Sequence, residues 1–136
     1  MAETFAEFMC RRDRAALAYT RGDAGPVDAL TSSTGPVSFF GPDGSSITGA
    51  TAVKAAFAAG AARFLPEGSS RLEILQMEAT GDVGYWSGIQ HADVHMHSKD
   101  TPVPMDLRIT ELFRRQDGEW KLVHRHADML KAQGGD

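Results

Sequence analysis

Hydrophobic and polar residues follow two different patterns along this chain. Residues 4–21 and 51–65 carry apolar side chains at helical spacing, and residues 23–32 form a short helical segment with Pro26 in its first turn. Short strands are predicted at residues 36–40 and 47–49. From residue 71 onward the pattern is that of strands, at residues 71–80, 83–97, 103–116 and 119–129. Helices followed by antiparallel strands predict an α+β fold.

One domain is expected to include all residues 1–136. Its core extends over about residues 4–129, and residues 130–136 are expected to be a frayed tail. Thr4 and Glu7 have the spacing of a capping box at the start of the first helix. Arg12 interrupts the apolar face of that helix, and with Arg11 and Arg14 it is interpreted as part of a solvated face.

The last strand carries a polar side chain at every second position: His124, His126 and Asp128. Side chains alternate between the two faces of a strand, so these three are expected to share a face with Trp120 and Leu122. This continuation of an apolar stripe predicts a strand that runs from the core into a polar pocket.

The turn before this strand leaves two registers open. A two-residue turn at Asp117 and Gly118 places Glu111 opposite His124, with Ile109 opposite His126 and Leu107 opposite Asp128. A three-residue turn with a glycine bulge shifts the pairing by one, so that Arg108 and Thr110 join the histidine face. The first register is preferred because it gives the more apolar inner face, with Leu107, Ile109 and Phe113.

Composition limits the classes of partner. The net charge of −4 argues against a nucleic-acid partner, which usually requires a basic excess. No apolar run approaches the roughly 18 residues of a membrane span, and the N-terminus lacks the pattern of a signal peptide. A cytoplasmic protein without a membrane partner is therefore expected.

A second group of polar residues lies on the strand at residues 83–97, where His91, Asp93, His95 and His97 share one face. Histidine and carboxylate side chains are good metal ligands. These residues run toward a polar loop at 98–102, so the group is interpreted as an exposed strand end, and no metal site is predicted.

The chain resembles the nuclear-transport-factor-2-like superfamily, and within it the SnoaL-like, ketosteroid-isomerase-like group. The resemblance extends over residues 4–129. It rests on Gly22-Asp23, Gly41-Pro42, Gly49, Gly81-Asp82 and, most closely, on the final hairpin with Arg108, Thr110, Arg114, Asp117, Gly118, Trp120, Val123, His124 and His126. The final hairpin also resembles the association domain of a calmodulin-dependent kinase.

This resemblance implies a strongly bent antiparallel sheet, wrapped as a cone around about three N-terminal helices, which is a cystatin-like roll. It implies a ligand pocket at the mouth of the cone, no cofactor, and a homodimer joined through the outer face of the sheet. Ketosteroid isomerases of the superfamily have their catalytic aspartate where this chain has Gly41, so the standard isomerisation is not expected. Another base, such as His124 or Asp128, would be required.

Two functions are carried forward. The first is a small-molecule-binding protein, with possible cofactor-independent acid/base isomerase, dehydratase or cyclase chemistry on an apolar, polyketide-like or steroid-like ligand. Its catalytic candidates are His124 and Asp128, and its ligand-binding candidates are Glu111, Arg108, His126, Tyr19, Phe39 and Trp86. The second is a non-catalytic oligomerisation module.

Overall fold

Three helices form the N-terminal part of the chain, as predicted. The structure is a computed structural model that describes residues 3–131. Helix α1 spans Phe5–Thr20, α2 spans Gly25–Leu30 and α3 spans Ala50–Ala61. The capping box is confirmed, because Thr4 Oγ1 accepts the Glu7 N–H at 3.1 Å and Glu7 Oε1 accepts the Thr4 N–H at 2.8 Å. The predicted frayed tail, 130–136, lies outside the described residues from position 132 onward.

A bent sheet of seven strands follows the α+β prediction. The strands are β1 (Ser38–Phe40), β2 (Ser46–Thr48), β3 (Ser69–Thr80), β4 (Val83–Val94), β5 (Val103–Pro104), β6 (Leu107–Gln116) and β7 (Glu119–Met129). Their order is β2-β1-β7-β6-β4-β3, with β5 beside β4. Neighbouring strands are antiparallel except β1 and β7, which are parallel. The strand predicted over residues 103–116 is therefore two strands.

The inner face of the sheet packs against α1. Phe8 lies edge-on to Phe113, with ring centroids 4.9 Å apart, and Phe5 lies edge-on to Trp120 at 5.1 Å. Burial of these rings, each worth a few kcal/mol, fixes the helix within the curve of the sheet.

A bulge at Val123 decides which residues of β7 face the helices. Near the turn, Gln116 pairs with Glu119 and Phe113 with Leu122, as a two-residue turn requires. Val123 then has no partner, and the pairing resumes with Leu112 opposite His124. The extra residue shifts every later position of β7 to the other face.

The preferred register is therefore right as far as Leu122 and wrong beyond it. Thr110 pairs with His126 and Arg108 with Asp128, so Arg108 and Thr110 lie on the histidine face, as the alternative register predicted. The pairs themselves belong to neither predicted register, because the extra residue is Val123 within β7 and not a third residue of the turn. The prediction that the two histidines share a face with Trp120 and Leu122 is also wrong. Arg125 and Ala127 take the inner positions, whereas the predicted polar residues His124, His126 and Asp128 lie on the outer face.

Within residues 3–131, no helix combines the length and the apolar character needed to span a bilayer.

The Asp117-Gly118 turn gives the first testable prediction. Both residues have positive φ, 51° and 80°, as in a type I′ turn. Gly118→Ala introduces a Cβ into this conformation and should lower the free energy of unfolding by about 1–2 kcal/mol. The matched change Asp117→Gly introduces a residue that adopts positive φ readily at the neighbouring position. It should alter the free energy of unfolding by less than about 1 kcal/mol. Urea unfolding measures both, and equal effects would contradict this turn geometry.

Candidate functional site

A fully buried carboxylate, Glu111, lies at the centre of the inner face. It is 0% exposed and accepts four hydrogen bonds from three side chains. Arg12 donates from Nε and Nη2 at 2.9 and 2.8 Å, Trp86 donates from Nε1 at 2.7 Å, and Arg125 donates from Nη1 at 2.7 Å. A carboxylate offers about four lone-pair sites, so its accepting capacity is filled by protein groups.

Arg12 reaches this carboxylate from α1. It is 3% exposed, so the interpretation of Arg12 as part of a solvated helix face is wrong. Its position is four residues after Phe8 and four before Ala16, which places it on the buried face of the helix. Its Nε and Nη2 form the two-point contact typical of arginine and carboxylate, while Nη1 is buried without a hydrogen-bond partner.

Arg125 links the carboxylate to the neighbouring strands. Because of the bulge at Val123 it occupies an inner position of β7, directly opposite Glu111 of β6. Its Nη2 donates to Gln90 Oε1 at 3.1 Å, and Gln90 Nε2 donates to Ser70 Oγ at 3.2 Å. The side chain of Arg125 is 12% exposed, so this polar chain leads from the buried carboxylate to the surface.

The two arginines keep Glu111 ionised. Burial raises the pKa of a carboxyl group, but the nearby charges and hydrogen bonds of Arg12 and Arg125 outweigh it and lower the pKa of Glu111 from 4.5 to about 2. A carboxylate with this pKa and filled lone pairs is a poor base near neutral pH. Glu111 therefore acts as an anchor for the arginines.

Aromatic side chains border the exposed end of this cluster. Phe39 pairs with Arg125 across β1 and β7, and its ring lies 5.0 Å from that of Phe57. Tyr19 packs edge-on against Phe57 at 6.5 Å and against Phe64 at 6.0 Å. Burial raises the pKa of Tyr19, against an opposing effect of Arg125 and other arginines. Tyr19 and Phe39 are both partly buried and both contact Phe57, and Phe39 is paired with Arg125 in the sheet. These two partly exposed side chains are called the aromatic rim.

Glycine at position 60 permits this arrangement of the rim. The Tyr19 hydroxyl lies against the backbone of α3 at Gly60, where a Cβ would collide with it. Only a residue without a side chain allows the ring to settle there.

The two histidines of β7 form a separate group on the outer face. His124 Nδ1 is 2.7 Å from Ser38 Oγ, and the Phe40 ring lies edge-on to His124 at 4.8 Å and to His126 at 5.5 Å. Burial, with a contribution from the neighbouring His126, lowers the pKa of His124. This shift favours the neutral form of His124.

Asp128 is held by a different partner. Arg108 donates to it from Nε at 2.6 Å and from Nη2 at 2.7 Å, and this contact lowers the pKa of Asp128. His124 and Asp128 are four residues apart on one strand, a separation of about 13 Å. The two catalytic candidates thus share a face without forming an acid/base pair.

An open cavity of about 310 Å³ lies beside this ion pair on the outer face, lined by Leu75, Ile89, Arg108, Thr110, His126 and Asp128. The eight catalytic and ligand-binding candidates therefore separate into two sites. Four lie inside the curve of the sheet or at its rim: Glu111, Trp86, Tyr19 and Phe39. Four lie outside it: Arg108, His124, His126 and Asp128.

The second histidine group lies partly in β4 and partly beyond it, because the strand ends at Val94, before His95 and His97. His91 contacts Glu73 at 2.8 Å and lies 3.9 Å from Asp106. Among residues 3–131, no three histidine, cysteine, aspartate or glutamate side chains come together in a group able to hold a metal ion.

Three residues of the inner cluster were not identified from sequence: Arg12, Arg125 and Gln90. Arg12 had a usable signal, because a charged residue at an otherwise apolar helix position requires a buried partner. Gln90 had a weaker signal: it lies four residues after Trp86 on β4, so the two side chains point to the same face. Arg125 had none, because its inward direction depends on the bulge.

The profile of the SnoaL-like domain family matches residues 12–130, which includes nearly all of the helices and strands described above. This chain belongs to the SnoaL-like domain family. The matched segment contains Arg12, Glu111 and Arg125, so the inner cluster lies entirely within the family domain.

Solved structures place this SnoaL-like domain in the NTF2-like fold. An NTF2-like superfamily protein from Salmonella enterica superposes with a TM-score of 0.80 at 13% identity, covering 96% of this chain and 93% of that one. A candidate dehydratase of the NTF2-like family from Streptomyces avermitilis gives 0.74 at 20% identity, covering 93% and 96%. A candidate calcium/calmodulin-dependent protein kinase type II association domain from Thiobacillus denitrificans gives 0.68 at 16% identity, covering 90% and 94%.

No curated protein matches the sequence of this SnoaL-like domain. At these identities the structural neighbours establish the fold, and the resemblance to the NTF2-like superfamily is confirmed at that level.

The inner cluster predicts a large, pH-dependent effect of Glu111→Gln. The change leaves two buried guanidinium groups without their counter-charge, so the free energy of unfolding at neutral pH should fall by about 3–5 kcal/mol. Because the folded-state pKa is lowered, the stabilisation by ionised Glu111 is present above pH 4.5 and is lost as pH falls toward 2. The difference from wild type should therefore narrow by up to about 3 kcal/mol over that interval, as measured by urea unfolding.

Glu73→Gln is the matched control. Glu73 is a half-exposed carboxylate whose partner is His91, so its loss should cost less than about 1 kcal/mol at every pH. An effect of Glu111→Gln no larger than that of the control would show that the buried charges are not coupled.

Proposed function

We propose that this SnoaL-like domain binds a small molecule at the mouth of its bent sheet, between Tyr19 and Phe39 and in front of Arg125. The observation that carries the proposal is a partly exposed apolar rim beside a guanidinium group that is fixed from behind. Ligand sites usually combine apolar walls with a few fixed polar groups. Glu111 and Trp86 would hold the polar groups in place, leaving Arg125, Tyr19 and Phe39 to contact the ligand.

Binding is favoured over acid/base catalysis by the state of the titratable groups. The dehydratase chemistry in the name of the Streptomyces neighbour requires a group that takes up a proton near neutral pH. Glu111 is held ionised with a pKa of about 2. The histidines of β7 lie on the opposite side of the sheet, and the resemblance to ketosteroid isomerases implies that Gly41 replaces their catalytic aspartate. We therefore propose a binding role, with an apolar ligand body against the aromatic rim.

Filling the rim should abolish ligand binding. Phe39→Trp places a larger ring beside Arg125, and hits from a small-molecule thermal-shift screen should lose at least about tenfold in affinity in this variant. Isothermal titration measures the loss.

His124→Ala on the outer face is the control for this experiment and should retain every hit. Hits that survive Phe39→Trp but disappear in His124→Ala would place the ligand site on the outer face and contradict the proposal.

Self-association through the outer face is the second candidate function. It is favoured by large apolar side chains that remain exposed there: Leu75 at 65%, Leu112 at 40% and Phe40 at 38%. Monomeric proteins rarely leave such side chains grouped on one face. The association domain named in the Thiobacillus neighbour has the same fold and is consistent with this candidate.

The oligomeric state should respond to a charge placed on that face. Wild type is expected to sediment as a dimer, and Leu112→Arg should shift it toward monomer by burying an unpaired charge between the subunits. Ala58→Lys, on the exposed side of α3, should leave the dimer intact. Analytical ultracentrifugation measures the three proteins, and a Leu112→Arg dimer as strong as wild type would exclude this face as the interface.

A further inference from the structure

The charges of the inner cluster do not balance. Two buried or nearly buried guanidinium groups, those of Arg12 and Arg125, face a single carboxylate, Glu111. Arginine remains protonated in proteins, and Glu111 is ionised, so the cluster keeps a net positive charge. An uncompensated charge in a buried position is costly, which favours binding of an anion there.

The geometry also leaves donors unused. Arg12 Nη1 is buried without a hydrogen-bond partner, although the other two nitrogens of this side chain are bound to Glu111. Arg125 donates through Nη1 and Nη2 once each, which uses two of the five N–H groups of a guanidinium. Because Arg125 is the member of the cluster that reaches the surface, it is the one that an anion entering from outside can contact.

The charged groups that act on the rim residue Tyr19 are positive, like the net charge of the inner cluster. Apart from burial, the groups that act on the pKa of the Tyr19 hydroxyl are three arginines, Arg125, Arg63 and Arg12, and all three lower it. Tyr19 is therefore close enough to these three arginines to be influenced by their charges, which would attract an anion toward this side of the sheet.

We propose that the ligand of this domain is a monocarboxylic acid, bound as its anion to Arg125, with an apolar body between Tyr19 and Phe39. This inference rests on the proposed binding function and specifies the chemical class of its ligand. A carboxylate matches the planar donor fork of arginine. One negative charge neutralises the cluster, whereas the second charge of a phosphate dianion would leave a new unpaired charge in a buried setting.

The test compares acids with their uncharged amides of nearly identical shape. Isothermal titration of the wild-type protein with benzoate and phenylacetate should show binding, whereas benzamide and phenylacetamide should bind at least about tenfold more weakly. This comparison needs no variant and is therefore independent of folding defects. Inorganic phosphate, as the probe of the competing anion class, should bind more weakly than the acids.

Two variants then locate the anion. Arg125→Met leaves Glu111 bound by Arg12 and Trp86, and should reduce benzoate affinity at least about tenfold without changing that of benzamide. Arg108→Met removes an arginine from the outer face, where its partner is Asp128, and should leave benzoate affinity unchanged. Circular dichroism confirms that both variants are folded.

The outcomes separate this inference from the proposed function. If acids and amides bind equally, the carboxylate inference is overturned and the proposed binding site is retained. The same holds if neutral compounds bind in a way that depends on Phe39 while no acid binds. Absence of binding by acids, amides and screening compounds overturns both. Benzoate binding that is lost in Arg108→Met but kept in Arg125→Met would overturn the inference by placing the anion on the outer face.

Discussion

The buried carboxylate of Glu111 is the interaction on which the inner architecture depends. Its hydrogen bonds join α1 through Arg12, β4 through Trp86 and β7 through Arg125. A buried ion pair is favourable only when every charge has partners with good geometry, so these elements must keep their relative positions. The same contacts hold the pKa of Glu111 at about 2, so this carboxylate stays ionised near neutral pH.

The bulge at Val123 makes that interaction possible. Without the extra residue, His124 would stand at the inner position and Arg125 would point outward. With it, the guanidinium of Arg125 meets Glu111, and the histidines join Phe40 and Ser38 on the outside. A single unpaired residue thus creates two surfaces of different character, a charged interior with an aromatic rim and an outer face with exposed leucines.

The elements themselves were largely predictable from sequence. The capping box at Thr4 and Glu7, the turn at Asp117 and Gly118, and the change from helical to alternating patterning are local signals, and each corresponds to an observed element. The break between β5 and β6 was missed because nothing in the local pattern around Met105 separates a bend from a continuing strand. Arg12 was misjudged because its arginine neighbours suggested solvent, although its spacing from Phe8 pointed inward.

The sequence by itself determined the α+β class and the hairpin turn, because these follow from periodicity and local backbone preference. It favoured Glu111 as an inward-facing residue but left Arg108 open as the alternative. Only the tertiary structure decided which face the histidines occupy and which side chains surround the carboxylate. The physical reason is that a bulge shifts register without a local sequence signature. The bulge is stabilised by the ion pair that it allows between Arg125 and Glu111. Arg12 completes this ion pair from α1, far away in the chain, so the stabilisation exists only after the sheet has curved around α1.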